Sequence, residues 1–234
     1  MLFWNSVSAI WVMSCAGLAA AQPDIAGIDL IRSKADGARE TAITTVRAPE
    51  PVREGDTALK FEIKPGDCHG SDCENDRERV ELKSRGTESA GTRVNYSWSF
   101  YLPADFQPLW PAREFIAQFH QDGGKPVLLL SLEPEGLRFE SRYRDGEKPL
   151  LIPAAELYGR WHDISIDIVW SKQAGEVLVA IDGVPRLVSH QQTMSEDQAY
   201  FKIGLYRAHL SRNRDAAAST QIMFADRIVR TLRP

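Results

Sequence analysis

The sequence predicts an all-β protein built from two antiparallel sheets packed face to face. Three observations carry this expectation. Apolar and polar residues alternate with period two through most of the chain beyond residue 58, the pattern of strands with one buried face. Helical periodicity is confined to two stretches, 153–158 and 195–199, each enough for little more than one turn. Turn chemistry such as Asp145-Gly146 and Asp182-Gly183 falls between or after the alternating runs, because Gly accepts the positive φ that tight turns require. Alternation alone does not separate a jelly roll from other sandwiches.

Residues 1–21 are read first, because they decide the compartment. Met1 to Ala21 holds no charged residue, an apolar run from Val7 to Leu18, and Ala19-Ala20-Ala21 before Gln22, a small-residue cleavage pattern. A signal peptide is expected at 1–21, followed by a secreted or periplasmic chain. The run is too short, and too interrupted by Ser, Cys and Gly, for a membrane span. Lipidation at Cys15 is the competing reading; Val12-Met13-Ser14-Cys15 loosely resembles a lipobox, and Met13 fits it poorly. The remainder, 22–234, is long enough for one sizeable core and is read as a single domain, expected to be a monomer.

Repeats and low-complexity tracts are absent, and 47–55, with two Pro and mixed charge, reads as a loop. Strands then follow in order: 59–63, 79–83, 95–102, 115–121, 127–133, 137–143, 161–170, 176–181, 200–206 and 221–230. Beyond the leader, only Cys68 and Cys73 remain, spaced C-x4-C. In an oxidising compartment such a close pair points to a disulfide closing a local loop. Zinc is the alternative, with His69, Asp67 and Asp72 nearby, but a fourth soft ligand at zinc spacing is missing. Asp72, Glu74 and Asp76 offer hard oxygen ligands that could hold a structural calcium, without an ordered loop signature.

The net charge of −4 gives no global attraction for polyanions, so any polyanion must be held by a local basic groove, and nothing suggests nucleic-acid binding. Pleat geometry groups the polar side chains that share a face. Arg79, Glu81 and Lys83 lie on one face of their strand, Gln118 and His120 on one face of theirs, and Tyr200, Lys202 and Tyr206 on one face of a third. Arg207 should point the other way. Gly204 leaves a gap between Lys202 and Tyr206 that could admit a sugar ring against the backbone. An amide, an imidazole, an ammonium, a guanidinium and a phenol together suit elimination next to a carboxylate: neutralise the acid, take the C5 proton, protonate the leaving oxygen.

The run from Cys68 to Leu82, then Tyr96 to Pro103, Gln118-Phe119-His120-Gln121, and Tyr200 to Arg207 resembles the glucuronan lyase and heparin lyase I-like group of polysaccharide lyases. Alginate lyases with the same jelly roll show similar R-x-E-L, Q-x-H and Y-F-K-x-G-x-Y strands. The resemblance spans roughly 59–207. It implies a β-jelly roll whose concave sheet is lined by Arg79, Gln118, His120, Lys202 and Tyr206, acting by β-elimination on an anionic polysaccharide with no required cofactor. It further implies Tyr206 as proton donor to the glycosidic oxygen and either Tyr206 or His120 as base at C5, depending on the stereochemistry of the uronate. Gln118 and Arg79 would hold the uronate carboxylate, with Glu81 orienting Arg79, and Lys202, Glu81, Lys83 and Tyr200 would contact substrate. Glucuronan is the first choice of polymer, ahead of alginate and glycosaminoglycans. His69 stands in a slot where an aromatic is expected.

Other conspicuous residues are read as structural. Trp98, Trp161 and Trp170 are assigned to the core, His162 to a strand start, and His190 and His209 to exposed loops. Asp163, Ser165 and Asp167 share a face that invites comparison with laminarinase-type hydrolases, but that chemistry needs closely spaced carboxylates including Glu, so the face is read as solvated. The competing functions are a non-catalytic carbohydrate-binding jelly roll and a laminarinase-type glycoside hydrolase.

Overall fold

Alternation becomes pairing in sixteen strands of a computed structural model that describes residues 25–33, 39–213 and 219–234. The signal-peptide reading of Met1–Ala21 and the alternative at Cys15 lie outside the described residues. In chain order the strands are β1 (Ile25–Ala26), β2 (Leu30–Arg32), β3 (Ile43–Val46), β4 (Ala58–Ile63), β5 (Arg77–Ser84), β6 (Glu88–Ser89), β7 (Arg93–Tyr101) and β8 (Arg113–Gln121). They continue as β9 (Leu128–Glu133), β10 (Gly136–Ser141), β11 (Leu150–Pro153), β12 (Trp161–Val169), β13 (Gly175–Ile181), β14 (Val184–Gln191), β15 (Gln198–Ala208) and β16 (Gln221–Arg233).

One 8-stranded sheet runs β14-β13-β12-β7-β16-β4-β3 with β1 beside β16; the other runs β11-β10-β9-β8-β15-β5-β2 with β6 beside β15. Pairing is antiparallel throughout, apart from the two-residue β1 along β16. Neighbours such as β7 and β16, or β5 and β15, come from distant parts of the chain. This is the jelly-roll sandwich.

The buried members of each alternating run meet between the sheets. Tyr96 and Trp98 of β7 pack against Phe119 of β8 and Phe201 of β15, with ring centroids 5.0–5.2 Å apart for Tyr96–Phe119, Tyr96–Phe201 and Trp98–Phe201. Each such ring buries on the order of 150–250 Å² and dominates the local energetics. The Tyr96 hydroxyl donates to Glu88 at 2.7 Å, and Arg230 neutralises Glu88 through two bonds, so the polar tip is satisfied rather than stranded. Asp182 and Gly183 both have positive φ (51° and 77°) in the β13–β14 hairpin, as a type I′ connection requires.

Three structural expectations need correction. Residues 195–199 form no helix: 195–197 are a bend and 198–199 already belong to β15. Trp161 is not a core residue, because alternation on β12 turns the adjacent His162 inward (1% exposed) and leaves Trp161 half-buried on the outer face against Tyr101. His190 is exposed as expected, but on strand β14 rather than in a loop. The single turn at Ala154–Leu157 is present, and a second at Ser71–Glu74 begins inside the Cys68–Cys73 loop, whose disulfide is formed, and runs one residue past it.

Candidate active site

Strands β5, β15 and β8 are neighbours in the second sheet, and their registers bring the polar faces together. Tyr206 stands opposite Arg79 on β5 and Phe115 on β8; Lys202 stands opposite Lys83 and Gln118; Tyr200 stands opposite His120. On one sheet face such pairs have Cβ atoms about 4.5–5.5 Å apart, so residues distant in sequence become direct contacts.

Glu81 is the hub of the site. It is fully buried; Arg79 Nη1 donates to its Oε2 at 2.6 Å, Gln118 Nε2 donates to its Oε1, and Lys202 Nζ lies 3.4 Å from Oε2. Burial alone would raise its pKa, but the Lys202 and Arg79 charges outweigh burial and hold the carboxyl below its ordinary range. A buried carboxylate is tolerable only with such partners.

Arg79 is gripped from a second side. Its Nε and Nη2 donate to the two oxygens of Asp72 at 2.8 and 3.1 Å, a bidentate clamp, and its guanidinium lies 4.1 Å from the centroid of the Tyr206 ring. On the other side Tyr206 is stacked on Phe115, with centroids 5.7 Å apart and planes at 24°. Burial raises the Tyr206 pKa above the ordinary phenol value, and the nearby Arg79 and Arg77 offset only part of that. The phenol therefore rests protonated.

His120 is partly exposed at the other end of the same face. Its Nδ1 lies 2.9 Å from the Gln121 carbonyl oxygen, which can only accept, so Nδ1 carries the proton and Nε2 keeps a free lone pair in the neutral ring. Burial lowers the His120 pKa, and Lys202 and Arg79 push it the same way. Tyr200 stacks on the imidazole at 5.3 Å.

A groove of ≈ 550 Å³ follows β8 across this face, lined centrally by Arg79, Gln118, His120 and Tyr206. Of the other expected substrate contacts, Glu81 and Lys202 lie beneath it, tied to each other, and Lys202 is only 6% exposed, with a pKa lowered by burial. Lys83 and Tyr200 sit on its shoulder, the ammonium 5.4 Å from the phenol ring centroid. The groove instead draws its positive charge from Arg77, Lys125 and Arg142, with His209 beside them, while Arg113 is paired with Glu140, which also lines it. Arg77 has the parity of Arg79 and was legible by extending that face two residues. Arg113 was not, because β8 is irregular between Phe115 and Ala117, where Ile116 and Ala117 are both buried and the parity of the face changes. Lys125 lies in the β8–β9 connection, which carries no alternation, whereas Arg142, inside the strand expected over 137–143, follows β10 and shares the parity of Arg138 and Glu140.

Gly204 needs a different account from a sugar seat. It has φ +137°, and a Cβ there would meet the Val80 carbonyl oxygen at 2.2 Å and Glu81 Cα at 2.8 Å. The space belongs to β5, and glycine is required by backbone conformation and close strand approach. Arg207 points to the opposite face, fully buried. Asp163, Ser165 and Asp167 lie on the other sheet's outer face, where Asp163 pairs with Arg53 at 2.8 Å and Asn95 bonds both Ser165 and Asp167. In the acidic loop, Asp72 is committed to Arg79, Asp76 accepts from the backbone and hydroxyl of Ser211, and His69 and Glu74 are exposed. Among the described residues no group of three or more His, Cys, Asp or Glu is arranged to hold a metal ion, and no helix is long and apolar enough to cross a membrane.

Solved structures share this architecture. An endo-β-1,4-glucuronan lyase from the fungus Trichoderma reesei superposes with a TM-score of 0.65 at 21% identity, over 87% of this chain and 96% of that one. An alginate lyase from Corynebacterium sp. gives 0.59 at 16% identity over 75% and 77%. The catalytic domain of a glycoside hydrolase family 131 protein from Coprinopsis cinerea gives 0.60 at 14% identity over 85% and 81%. Likeness at such identities speaks to the fold, which hosts both lyases and hydrolases. No curated protein sequence matches this chain. The model of the family described as polysaccharide lyase matches residues 27–229, nearly all of the sandwich and every residue of the Tyr206–Arg79–Gln118–His120 constellation, and the chain therefore belongs to the polysaccharide lyase family.

Proposed function

We propose that the chain cleaves a uronate-containing polysaccharide by β-elimination, with glucuronan as first substrate. The observation that carries this reading is the meeting of a protonated phenol, a neutral imidazole with a free Nε2, and an Arg79–Gln118 pair in one groove edged by cations. The carboxylate of the reacting uronate is placed against the Gln118 and Arg79 N–H groups not spent on Glu81 and Asp72, which lowers the cost of charge on the intermediate. His120 Nε2 takes the C5 proton. The electron pair of that C–H bond becomes the C4–C5 double bond, the C4–O4 bond breaks, and Tyr206 gives its proton to the departing oxygen. Imidazolium and phenolate then return to their resting states by net proton transfer through solvent. Side chains alone perform these steps.

The division of roles follows from the opposite pKa shifts. A phenol held protonated is an acid at neutral pH, and an imidazole held neutral is a base. Arg77, Lys125 and Arg142 supply charge for carboxylates on neighbouring sugars, as a polyanion bound by a protein of net charge −4 requires. Glucuronan is preferred for the Cys68–Leu82 run and the short chain.

A panel of glucuronan, alginates and glycosaminoglycans tests this directly. Ultraviolet absorbance should grow as unsaturated uronate ends form, fastest on glucuronan. New reducing ends without that absorbance would establish hydrolysis instead, and binding without either product would leave a carbohydrate-binding protein.

A further inference from the structure

Asp72 is a buried carboxylate, 2% exposed, that the elimination does not use, although it holds the most constrained side chain of the site. It is also the residue immediately before Cys73 in the only disulfide-closed loop among the described residues. We propose that Asp72 is a positioning residue, and that the Cys68–Cys73 loop belongs to the active site because it holds Asp72 where the carboxylate keeps the Arg79 guanidinium flat against the Tyr206 ring. This rests on the elimination reading only for its effect on rate; the geometric part stands on the loop itself.

A guanidinium has planar, forked donors, and Asp72 engages one edge of it through Nε and Nη2 while Glu81 takes Nη1. Two carboxylates acting on two edges fix the plane as well as the position. That plane faces Tyr206 at 4.1 Å. With Glu81 alone, the guanidinium could swing about the one remaining bond and leave both the ring and the carboxylate seat.

The loop is built to hold its carboxylate still. Asp72 N donates to the His69 carbonyl at 3.2 Å and Cys73 N to the Gly70 carbonyl at 3.1 Å, forming the single turn that presents Asp72. At the base of the loop Arg79 N donates to the Asp67 carbonyl at 2.8 Å, and the Asp67 side chain accepts two bonds from Arg39. Gly66 N donates to Glu78 of β5 at 2.6 Å. The disulfide joins this anchored base to the far side of the turn, so Asp72 cannot leave β5 without carrying the bridge. A loop this short contributes little to global stability through chain entropy, which leaves local placement as its main effect.

The charged groups acting on Tyr206 are Arg77, Arg79 and Glu81 on β5 and Asp72 on the loop; Arg113 on β8, stacked over Phe115 at 4.8 Å, is paired with Glu140 of β10. Loss of Asp72 removes a negative charge near the phenol and also frees Arg79, two effects of opposite sign on its acidity. The decisive readouts are therefore geometric and kinetic.

The first readout needs no substrate. In the nitrogen-15-labelled protein the Arg79 Nε–H resonance, assigned by its loss in Arg79→Lys, should exchange slowly and be shifted by the ring beneath it. In Asp72→Asn, and separately in Cys68→Ser/Cys73→Ser, it should move toward the position of a free arginine while the thermal midpoint shows each variant folded. An unmoved resonance in folded Asp72→Asn overturns the proposal. The second readout is unsaturated uronate formation on glucuronan. Asp72→Asn should lower kcat roughly 10–100-fold, the scale of a small misplacement, with a smaller rise in KM as Arg79 leaves the carboxylate seat. In an Arg79→Lys background the same substitution should add almost nothing. A multiplicative loss in that background, or a risen KM at unchanged kcat, refutes the positioning role. If the unsubstituted chain forms no unsaturated uronate on any polyuronate while the Arg79 resonance still responds to Asp72→Asn, the elimination reading fails and the positioning inference survives.

Discussion

Arg79 and Arg207 make an instructive pair, since both are buried arginines held by two acidic side chains and they stand on opposite faces of one sheet. Arg207 contacts Glu78 at 3.0 Å, Glu114 at 3.5 Å, Gln221 at 2.8 Å and the Ser219 carbonyl at 2.6 Å, and it is fully buried between the sheets. Arg79 spends three donors on Asp72 and Glu81 and turns its plane to Tyr206 in the groove. The inward arginine closes its network with protein atoms. The outward one keeps N–H groups that a ligand can use. Pleat alternation makes the difference: Tyr206 faces Arg79 and the next residue, Arg207, faces Glu78. One strand thus carries the Tyr206 phenol of the groove and, on its back, the ion network that fixes its end.

The comparison breaks most visibly at Tyr206. Tyr206→Phe keeps the ring between Phe115 and Arg79 and deletes the transferable proton, so unsaturated-uronate formation should fall by ~100 to 10000-fold while polymer binding and thermal midpoint stay near their starting values. Nearly normal turnover would remove Tyr206 as the acid and move the chemistry to His120. On the inner face the reverse pattern is expected. Arg207→Ala strands Glu78 and Glu114 in the interior and should cost about 3–5 kcal/mol of stability, read as a lower denaturant midpoint, with turnover per folded molecule changed only a few-fold. Equal loss of activity at unchanged stability would place Arg207 in the chemistry.

Much of this division is legible in the amino-acid sequence. Alternation in 79–83, 118–120 and 200–206 separated the groove face from the core face, and it turned Arg207 inward, because unbroken strands preserve parity. It failed where parity breaks or does not exist. The irregularity at Ile116 hid Phe115 and Arg113, and the loop position of Asp72 made its carboxylate look like a candidate ion ligand instead of an arginine clamp. Strand β14 went unseen because Val184 and Val188 are 50% and 57% exposed, so an edge strand with little buried face offers no alternating signal.

The pH profile sharpens the contrast between Tyr206 and His120. His120 must be neutral to act, and burial lowers its pKa, so its protonation should curb kcat/KM only below the ordinary histidine range near ~6.5. Tyr206 must be protonated, and burial raises its pKa, so its limb should lie above ~10. His120→Ala should abolish the acid limb along with most of the rate. Stability carries the same sign for histidine: the folded ring binds its proton less readily than the unfolded one, so its contribution is intact above the unfolded value and is lost as pH falls through the lower folded value. An acid limb that survives in His120→Ala would assign it to another group.

The smallest effect is expected on the shoulder of the groove. Tyr200 stacks on His120 at 5.3 Å, and Lys83 lies over the outer phenol ring at 5.4 Å, yet neither lines the groove itself. Tyr200→Phe preserves the stack and removes only a hydroxyl, while Lys83→Ala removes a partly solvated charge worth on the order of 0.5–1 kcal/mol as an exposed cation–π contact. Turnover should change by less than about threefold in Tyr200→Phe, and Lys83→Ala should act mainly on KM, more at low salt than at high, because a long-range charge is screened where a hydrogen bond is not. A loss in Tyr200→Phe comparable to that in Tyr206→Phe would mean that polysaccharide reaches the β15–β5 shoulder, and the groove would then have to be redrawn across the strands instead of along β8.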